Sequence, residues 1–502
     1  MAFVGKLISW RMQKRAHQME LFIKYPVEVQ QELLLKLLST AAETEYGKRY
    51  GFDKIESHAD FKKAVPITSY EDLEPEINRV KEGEQNILWP TEIKWFAQSS
   101  GTTSSKSKFI PVSKESIKDC HYKGGKDMLS IYFRHNPKSE IYSGKGMILG
   151  GTKQINQISN ESYYGDLSAI IISNLPFWVA LKRTPDMDIM LMEDWDEKLE
   201  KMANQVIPQN ITHISGVPSW MLILFKKILE KTGANHIHEV WPNLELYMHG
   251  GVSFEPYRSQ FQSLLPSEGL SYLETYNASE GFFGIQYNIN EPGLMLMLDY
   301  GIYYEFIPIS EVDKPDPIVL SLAEVELNEN YAMLISTNSG LWRYMIGDTI
   351  KFIARTPFRF LITGRTKHFI NAFGEELIIE NADRAINEAA KATRSEVKDY
   401  TAAPKYISDE STGAHQWLVE FEVEPSDMQK FSEVLDSTLK RLNSDYEAKR
   451  SNDLVLQPPI VQKVPNGTFY NWLKSKSKLG GQNKIPRLAN SRIFMEEILS
   501  LL

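Results

Sequence analysis

Up to about residue 281, the chain alternates between two patterns of hydrophobic positions. Leucines at 33, 34, 37 and 38 repeat at the three- and four-residue spacing of a helix face, which predicts a helix over 27–43. Short apolar runs that end in a glycine or a polar turn, such as 147–149, 213–217 and 244–248, predict buried strands. The polar, glycine-containing segment 44–52 predicts the end of the first helix.

Helices alternate with these strands. Further helices are predicted at 113–132, 186–206, 219–228 and 256–265, and a further strand at 270–276. Ser113 is the residue type that caps the first of these helices. Strands that alternate with helices favour an α/β fold.

The pattern changes after residue 281. Aromatic strand candidates at 301–307, 332–336, 341–344 and 360–363 predict a β-rich, antiparallel subdomain over about 282–360. A polar turn is predicted at 364–367, and helices at 380–392 and 427–444 flank a strand at 417–423. We therefore expect a large N-terminal domain over 1–365 and a small α+β C-terminal domain over 366–502.

Composition narrows the possible functions. A chain of 502 residues with 42% hydrophobic positions has enough apolar material for more than one core. The net charge of −9, from 56 basic and 65 acidic side chains, argues against a nucleic-acid partner. No stretch approaches the roughly 18 uncharged apolar residues of a membrane helix. The single cysteine, Cys120, excludes an internal disulfide framework and fits a cytoplasmic protein.

The stretch 99–108 (SSGTTSSKSK) carries the first candidate chemistry. Seven hydroxyl residues, one glycine and two lysines lie between two strand candidates, at 95–97 and 109–112. Such a turn can surround an anion with N–H and OH groups, and lysine supplies the compensating charge. It is not a P-loop, because the second glycine and the Lys-Ser/Thr end are missing. From the residues alone, an ordinary polar hairpin explains the stretch equally well.

Two further polar clusters follow in order, at 276–280 (YNASE) and 344–348 (YMIGD). Together with 99–103, they resemble in order and spacing the three nucleotide motifs of the auxin-responsive family of acyl-acid amido synthetases. That family belongs to the adenylate-forming enzymes. Other segments are similar to its N-terminal motif, its central strand signal and its C-terminal lysine motif: 65–73, 241–244 and 482–487.

The resemblance implies an α/β fold with a large adenylate-forming domain and a mobile C-terminal domain. It also implies an ATP- and Mg²⁺-dependent ligase that adenylates a small carboxylic acid and transfers the acyl group to an amine, usually of an amino acid. The alternatives are an acyl-CoA synthetase-like ligase with a thiol acceptor, and a non-catalytic nucleotide-binding protein. We expect a monomer or weak dimer.

The resemblance assigns phosphate contacts to the first cluster, with Lys106 or Lys108 as the cation. The cluster residues are Ser99, Ser100, Gly101, Thr102 and Thr103. Glu280 is expected to hold Mg²⁺, since hard cations take carboxylate oxygens. Lys484 is expected to contact the substrate carboxylate and the α-phosphate as the catalytic cation. A solvated glutamate and an exposed loop lysine are the ordinary alternatives.

The remaining assignments concern the nucleoside. Tyr276 is expected beside adenine, lined by Asn277, Ala278 and Ser279, although a tyrosine at a strand end is more often part of a core. Gly250 and Gly251 are expected to let the backbone approach adenine closely, or to form a plain turn. Asp348 is expected to accept the ribose hydroxyls, and Arg365 to reach the ribose. A Gly-Asp turn and a surface arginine are the alternatives.

Overall fold

A computed structural model describes most of the chain. The described residues are 15, 17–99, 108–150, 155–158, 162–175, 182–190, 192, 195–251, 254, 258–266, 269–312, 314–366, 369–375, 377–406, 413–450, 455–475 and 486–502.

The strands are numbered in chain order. They are β1 Trp95–Ser99, β2 Lys108–Val112, β3 Lys145–Leu149, β4 Asn156–Gln157, β5 Tyr163–Gly165, β6 Arg183–Thr184, β7 Ile211–Gly216, β8 Leu246–Gly250, β9 Ser271–Ala278, β10 Gly281–Gln286, β11 Leu294–Leu296, β12 Ile302–Pro308, β13 Asn330–Thr337, β14 Tyr344–Arg355, β15 Phe358–Arg365, β16 Phe369–Ile370, β17 Leu377–Ile378, β18 Glu396–Tyr406, β19 Gly413–Val423 and β20 Ile460–Val464.

The helices are referred to by their bounds. The α-helices are Pro26–Ala41, Glu45–Tyr50, His58–Ala64, Tyr70–Lys81, Tyr122–His135, Leu167–Ser173, Met187–Met190, Trp195–Val206, Pro218–Thr232, Ile237–Val240, Arg258–Leu264, Ile379–Thr393, Met428–Leu442, Ser444–Arg450, Thr468–Ser475 and Ile493–Leu499. Short 3-10 turns lie at Phe52–Lys54, Ile141–Ser143 and Ile309–Glu311, and a π-helical turn at Ser116–His121.

The largest sheet joins the two halves of the N-terminal region. Its order within the described residues is β12-β13-β14-β15-β11-β10-β9-β8-β7-β3-β6. Strands β6, β3, β7, β8 and β9 pair in parallel, and from β9 to β12 every pairing is antiparallel. The β-rich segment predicted over 282–360 is thus antiparallel as expected, but it continues the parallel sheet. The reason is local, because a tight turn leads from β9 directly into β10.

Capping residues explain where several helices begin, and the helix predictions were wrong at two places. Ser113 Oγ accepts the Ser116 N–H at 2.9 Å, which confirms the predicted cap. The segment 44–52 contains a helix that the sequence prediction missed, and Thr44 caps it by accepting the Gly47 N–H at 2.9 Å. Helix 186–206 is interrupted, with separate helices at Met187–Met190 and Trp195–Val206.

The C-terminal part is the predicted α+β unit. Strands β18, β19 and β20 form a three-stranded sheet, covered by helices that include Ile379–Thr393 and Met428–Leu442. Its buried hydrophobic clusters draw their members from residues 370–498, and Ile223 of the N-terminal part packs against one of them. The large N-terminal and small C-terminal division is confirmed, while the boundary at 365/366 stays a prediction. Within the described residues, no helix is long and apolar enough to cross a membrane.

Candidate nucleotide site

The carboxyl ends of β8 and β9 lie side by side where the sheet changes from parallel to antiparallel. Gly250 pairs with Thr275, and a Cβ on Gly250 would lie only 2.5 Å from the Thr275 carbonyl oxygen. Gly251 has a φ of +82°, in the left-handed region that favours glycine. The lack of a side chain at Gly250 therefore lets β8 and β9 lie close together here, while the predicted approach of this glycine pair to adenine stays a prediction. Ligands in open α/β sheets bind outside the carboxyl ends of the strands.

The 276–280 cluster leads out of β9 into β10. Tyr276 is 7% exposed, and its ring centroid lies 4.9 Å from that of Phe283. Asn277 is exposed, and Ser279 and Glu280 form the turn. The Phe282 N–H beyond the turn donates to Cys120 Sγ at 3.1 Å, so the π-helical segment supports it.

Asp348 is joined to this cluster across the sheet. The Tyr276 hydroxyl donates to Asp348 Oδ2, and both side chains are buried. Their strands, β9 and β14, are four positions apart in the sheet order. In a flat sheet, four steps would separate them by about 19 Å, which no tyrosine side chain spans. The antiparallel half must therefore curl over, and the curl brings the second and third clusters together.

Arg365 lies opposite Asp348 in the β14–β15 register. The turn predicted at 364–367 begins later than expected, because β15 continues through Arg365 and the chain bends at Thr366. The Thr366 N–H donates to the Gly347 carbonyl at 2.7 Å, and this hydrogen bond fixes where the chain leaves β15. The backbone thus places Arg365 beside the ribose carboxylate candidate, and its side chain lies outside the described part.

The first cluster begins and ends on paired strands. Ser99 and Lys108 face each other in register at the ends of β1 and β2. Lys108 belongs to a strand and is 6% exposed, with its Nζ 5.6 Å from the Tyr70 ring centroid. Lys106 and the other candidates in and beyond this stretch lie outside the described residues: Ser100, Gly101, Thr102, Thr103 and Lys484.

The 65–73 segment links this hairpin to the third cluster. The Met345 N–H donates to the Thr68 carbonyl at 2.8 Å, and Thr68 pairs with Tyr344 as a parallel bridge. Two residues on, the Tyr70 hydroxyl accepts the Phe109 N–H at 2.9 Å. One short segment therefore contacts both the strand that carries Asp348 and the hairpin that carries the hydroxyl-rich stretch.

Two buried titratable groups lie at or just beyond the carboxyl ends of the parallel strands β8 and β3. Burial, reinforced by Arg258, lowers the pKa of His249 to about 3, so this ring is neutral near pH 7. Burial lowers the pKa of Lys198 to about 8, and its Nζ donates to the Gly150 carbonyl at 3.1 Å, just beyond β3. Nothing in the sequence marks Lys198 as a buried lysine, because it lies among other charged residues in an amphipathic helix.

Sequence reasoning also missed the buried pair of Arg343 and Glu305. Their oppositely charged side chains are 2.9 Å apart and nearly inaccessible. Residues 341–343 were predicted as strand, whereas β14 begins at Tyr344 and Arg343 has a φ of +44°. An arginine directly ahead of the third cluster, in an otherwise apolar run, is the signal that could have drawn attention to it.

Comparison with known proteins identifies the family. Three stretches match the GH3 family: its N-terminal domain over residues 15–270, its central domain over 295–365 and its C-terminal domain over 380–493.

Among curated relatives, a jasmonoyl–L-amino acid synthetase of Nicotiana attenuata is 24% identical, over 96% of this chain and 95% of its own. An indole-3-acetic acid-amido synthetase of Arabidopsis thaliana is 24% identical, over 93% of this chain and 90% of its own. The solved structure of the AtGH3.15 acyl acid amido synthetase in complex with 2,4-DB superposes with a TM-score of 0.62 at 18% identity, covering 98% of this chain and 96% of that one. The fold of an adenylate-forming enzyme is thus shared, and this chain belongs to the GH3 family.

Proposed function

We propose that this chain is an ATP-dependent acyl-acid amido synthetase. The observation that carries the proposal is the hydrogen bond from Tyr276 to Asp348, which joins two nucleotide-motif candidates 72 residues apart in the sequence. The glycine pair at 250–251 and the family membership support the same conclusion. Relatives at 24% identity include jasmonoyl–amino acid and indole-3-acetic acid-amido synthetases, so the acid and the amine of this chain are a small carboxylic acid and an amino acid.

The reaction has two steps. An oxygen of the acid attacks the α-phosphorus of ATP, the bond to the β-phosphate oxygen breaks, and acyl-AMP and pyrophosphate form. The amine nitrogen then attacks the acyl carbon, the bond to the AMP oxygen breaks, and the nitrogen loses a proton to give the amide. Activation is needed because a free carboxylate has no adequate leaving group, whereas AMP is one.

The site residues keep the roles predicted for them, except that Tyr276, predicted beside adenine, is assigned to hold Asp348. Asp348 accepts the ribose hydroxyls while Tyr276 holds its second oxygen, and Arg365 approaches the ribose from the neighbouring strand. Gly250 and Gly251 lie against adenine, lined by residues 277–279. The hydroxyl-rich stretch with Lys106 or Lys108 binds the phosphates, and Lys484 faces the α-phosphate.

Glu280 fits a magnesium ion shared with the substrate. Within the described residues, no three His, Cys, Asp or Glu side chains are grouped so as to hold a metal. Mg²⁺ in such enzymes is commonly held by one or two carboxylates together with substrate phosphates, rather than by a cage of protein ligands. Glu280 lies in the turn between β9 and β10 and supplies such a carboxylate. When bound, the ion would neutralise charge on the phosphate oxygens.

The region 366–502 moves as a unit between the two steps. Its hydrophobic clusters are built mainly from its own residues, and the chain leaves β15 through the turn at Thr366. A domain that carries Lys484 can therefore change its orientation without disrupting the nucleotide crevice.

The test is a screen for pyrophosphate release with carboxylic acids, each paired with the standard amino acids, followed by detection of the amide by mass spectrometry. Glu280→Gln keeps the side-chain shape but removes the charge, and we expect at least a hundredfold loss of pyrophosphate release with an unchanged melting temperature. Glu326→Gln changes an exposed glutamate in the loop ahead of β13, and this matched control should retain wild-type activity.

The outcome also separates the alternatives. Activity that requires coenzyme A and not an amino acid identifies a thiol-dependent ligase. Binding of ATP without acid-dependent pyrophosphate release identifies a non-catalytic protein. Wild-type activity in Glu280→Gln contradicts the metal assignment.

A further inference from the structure

The strand that carries Asp348 begins next to a residue with an uncommon backbone conformation. Arg343 directly precedes β14 and has a φ of +44°. A long side chain rarely adopts this left-handed conformation, and it persists only where surrounding contacts enforce it. The contacts of Arg343 therefore indicate what this position does.

Hydrogen bonds hold both the backbone and the side chain of Arg343. Its backbone N–H donates to Ser336 Oγ at 2.9 Å, and its carbonyl accepts the Thr68 N–H at 2.9 Å. In the side chain, Nη1 donates to the Val65 carbonyl at 2.7 Å, and Nε donates to Glu305 Oε2 at 2.9 Å. The residue is 3% exposed, so these contacts are shielded from water.

Glu305 extends this network across the sheet. It lies on β12, is 1% exposed, and its second oxygen is 3.0 Å from His58 Nε2. A buried ion pair is a weak way to gain stability, because desolvation of the charges offsets their attraction. Its geometry is directional, however, and the arginine fork is bonded at the same time to a carboxylate and to a main-chain carbonyl. Orientation of the chain is therefore the better explanation of this pair than stability.

The pair orients the segments that build the nucleotide crevice. Arg343 binds the 65–68 segment through Val65 and Thr68, and Thr68 of the same segment pairs with the start of β14. Asp348 follows in the same strand, and Tyr70 beyond Thr68 holds the hairpin of the hydroxyl-rich stretch. A shift at Arg343 therefore moves the ribose carboxylate and the phosphate stretch relative to each other.

We propose that Arg343 and Glu305 are positioning residues for nucleotide binding. The pair holds the left-handed start of β14 and so sets where the Asp348 carboxylate meets the ribose. The inference rests on the proposed function, since it assigns the nucleotide to the Tyr276–Asp348 crevice. It predicts an effect on nucleotide affinity that exceeds any effect on the carboxylic acid.

The test measures AMP and ATP binding directly by calorimetry, and KM for ATP and for the acid by pyrophosphate release. Arg343→Met removes the fork, and Glu305→Gln removes the charge at constant shape. We expect each to weaken AMP binding and raise KM for ATP at least tenfold, with KM for the acid changed less than threefold. Arg343→Lys keeps a charge that can reach Glu305 and should recover part of the nucleotide affinity.

Arg450→Met is the matched control. Arg450 is as buried as Arg343 and forms an ion pair with Asp436, at 2.7 Å, in the C-terminal part. It should lower the melting temperature without changing AMP affinity. If the Arg343 or Glu305 variants fold and bind AMP as tightly as the wild type, the positioning role is wrong. If the wild type binds neither AMP nor ATP, the proposed function itself fails, whatever the variants do.

Discussion

The hydrogen bond between Tyr276 and Asp348 is the most direct place to test the site. Tyr276→Phe removes one oxygen and leaves the ring, which packs 4.9 Å from Phe283 and 6.1 Å from Phe360 between centroids. The change therefore creates almost no cavity. What it removes is the hydroxyl that donates to Asp348 Oδ2.

The expected magnitude follows from burial. Tyr276 is 7% and Asp348 6% exposed, so water does not readily replace the lost donor. A hydrogen bond to a charged group contributes about 1.5–3 kcal/mol. If the bond orients the carboxylate that binds ribose, most of this energy is lost from nucleotide binding. At about 1.4 kcal/mol per factor of ten, kcat/KM for ATP should fall about 10- to 100-fold.

The assay is pyrophosphate release at varied ATP and at varied acid, together with chemical denaturation. Tyr446→Phe is the control, because the Tyr446 hydroxyl donates to Asp436 Oδ1 at 2.8 Å, a buried bond of the same type in the C-terminal part. Both variants should lose stability, but only Tyr276→Phe should impair the use of ATP. Equal kcat/KM for ATP in Tyr276→Phe and wild type would refute the assignment of this crevice to the nucleotide.

Two further predictions concern the whole molecule. Burial lowers the pKa of three histidines from 6.5, to about 4 for His121 and His213 and, with a contribution from Arg258, to about 3 for His249. Below about pH 6.5 the unfolded chain therefore takes up protons that the folded chain does not. The free energy of unfolding should fall by about 4 kcal/mol between pH 7.5 and 5.5 through these three groups together. Chemical denaturation at the two pH values measures this fall, and an unchanged free energy of unfolding contradicts it. Lys449 Nζ lies 4.0 Å from the Trp220 ring centroid and links the C-terminal part to helix Pro218–Thr232. If this contact biases the domain orientation, Lys449→Met should change the ratio of amide formation to pyrophosphate release about two- to tenfold. An unchanged ratio would show that the contact has no such effect.

Local patterns predicted much of the fold. Apolar spacing and caps located most helices, because Ser113 and similar residues act on groups within a few positions of themselves. The same reasoning failed at Glu45–Tyr50, where a short polar helix has no apolar stripe to mark it. It also failed at 341–343, where an apolar run resembles a strand but Arg343 is held out of one by contacts with distant residues.

The site was only partly predictable for the same reason. The residue types of the 99–108 stretch alone indicated an anion site or an ordinary polar hairpin, and the resemblance supplied the nucleotide and the roles of all three clusters. Nothing local to Tyr276 or Asp348 shows that they touch, because the contact depends on how far the antiparallel strands curl. Lys108 was predicted in a loop and lies in β2, since the length of the strand pairing is decided by its partner Ser99.

The continuity of the large sheet explains why distant motifs can form one crevice. Gly250 and Gly251, which we propose to lie against adenine, stand at the end of the parallel strand β8, whereas Asp348 lies on an antiparallel strand of the same sheet. Because one sheet holds the two glycines and Asp348 at a fixed separation, on our proposal the enzyme binds the nucleotide in a crevice formed before the substrate arrives. The C-terminal part shares few core residues with that sheet. On the same proposal, it reorients between adenylation and amide transfer while the AMP half of the intermediate stays where Tyr276 and Asp348 hold it.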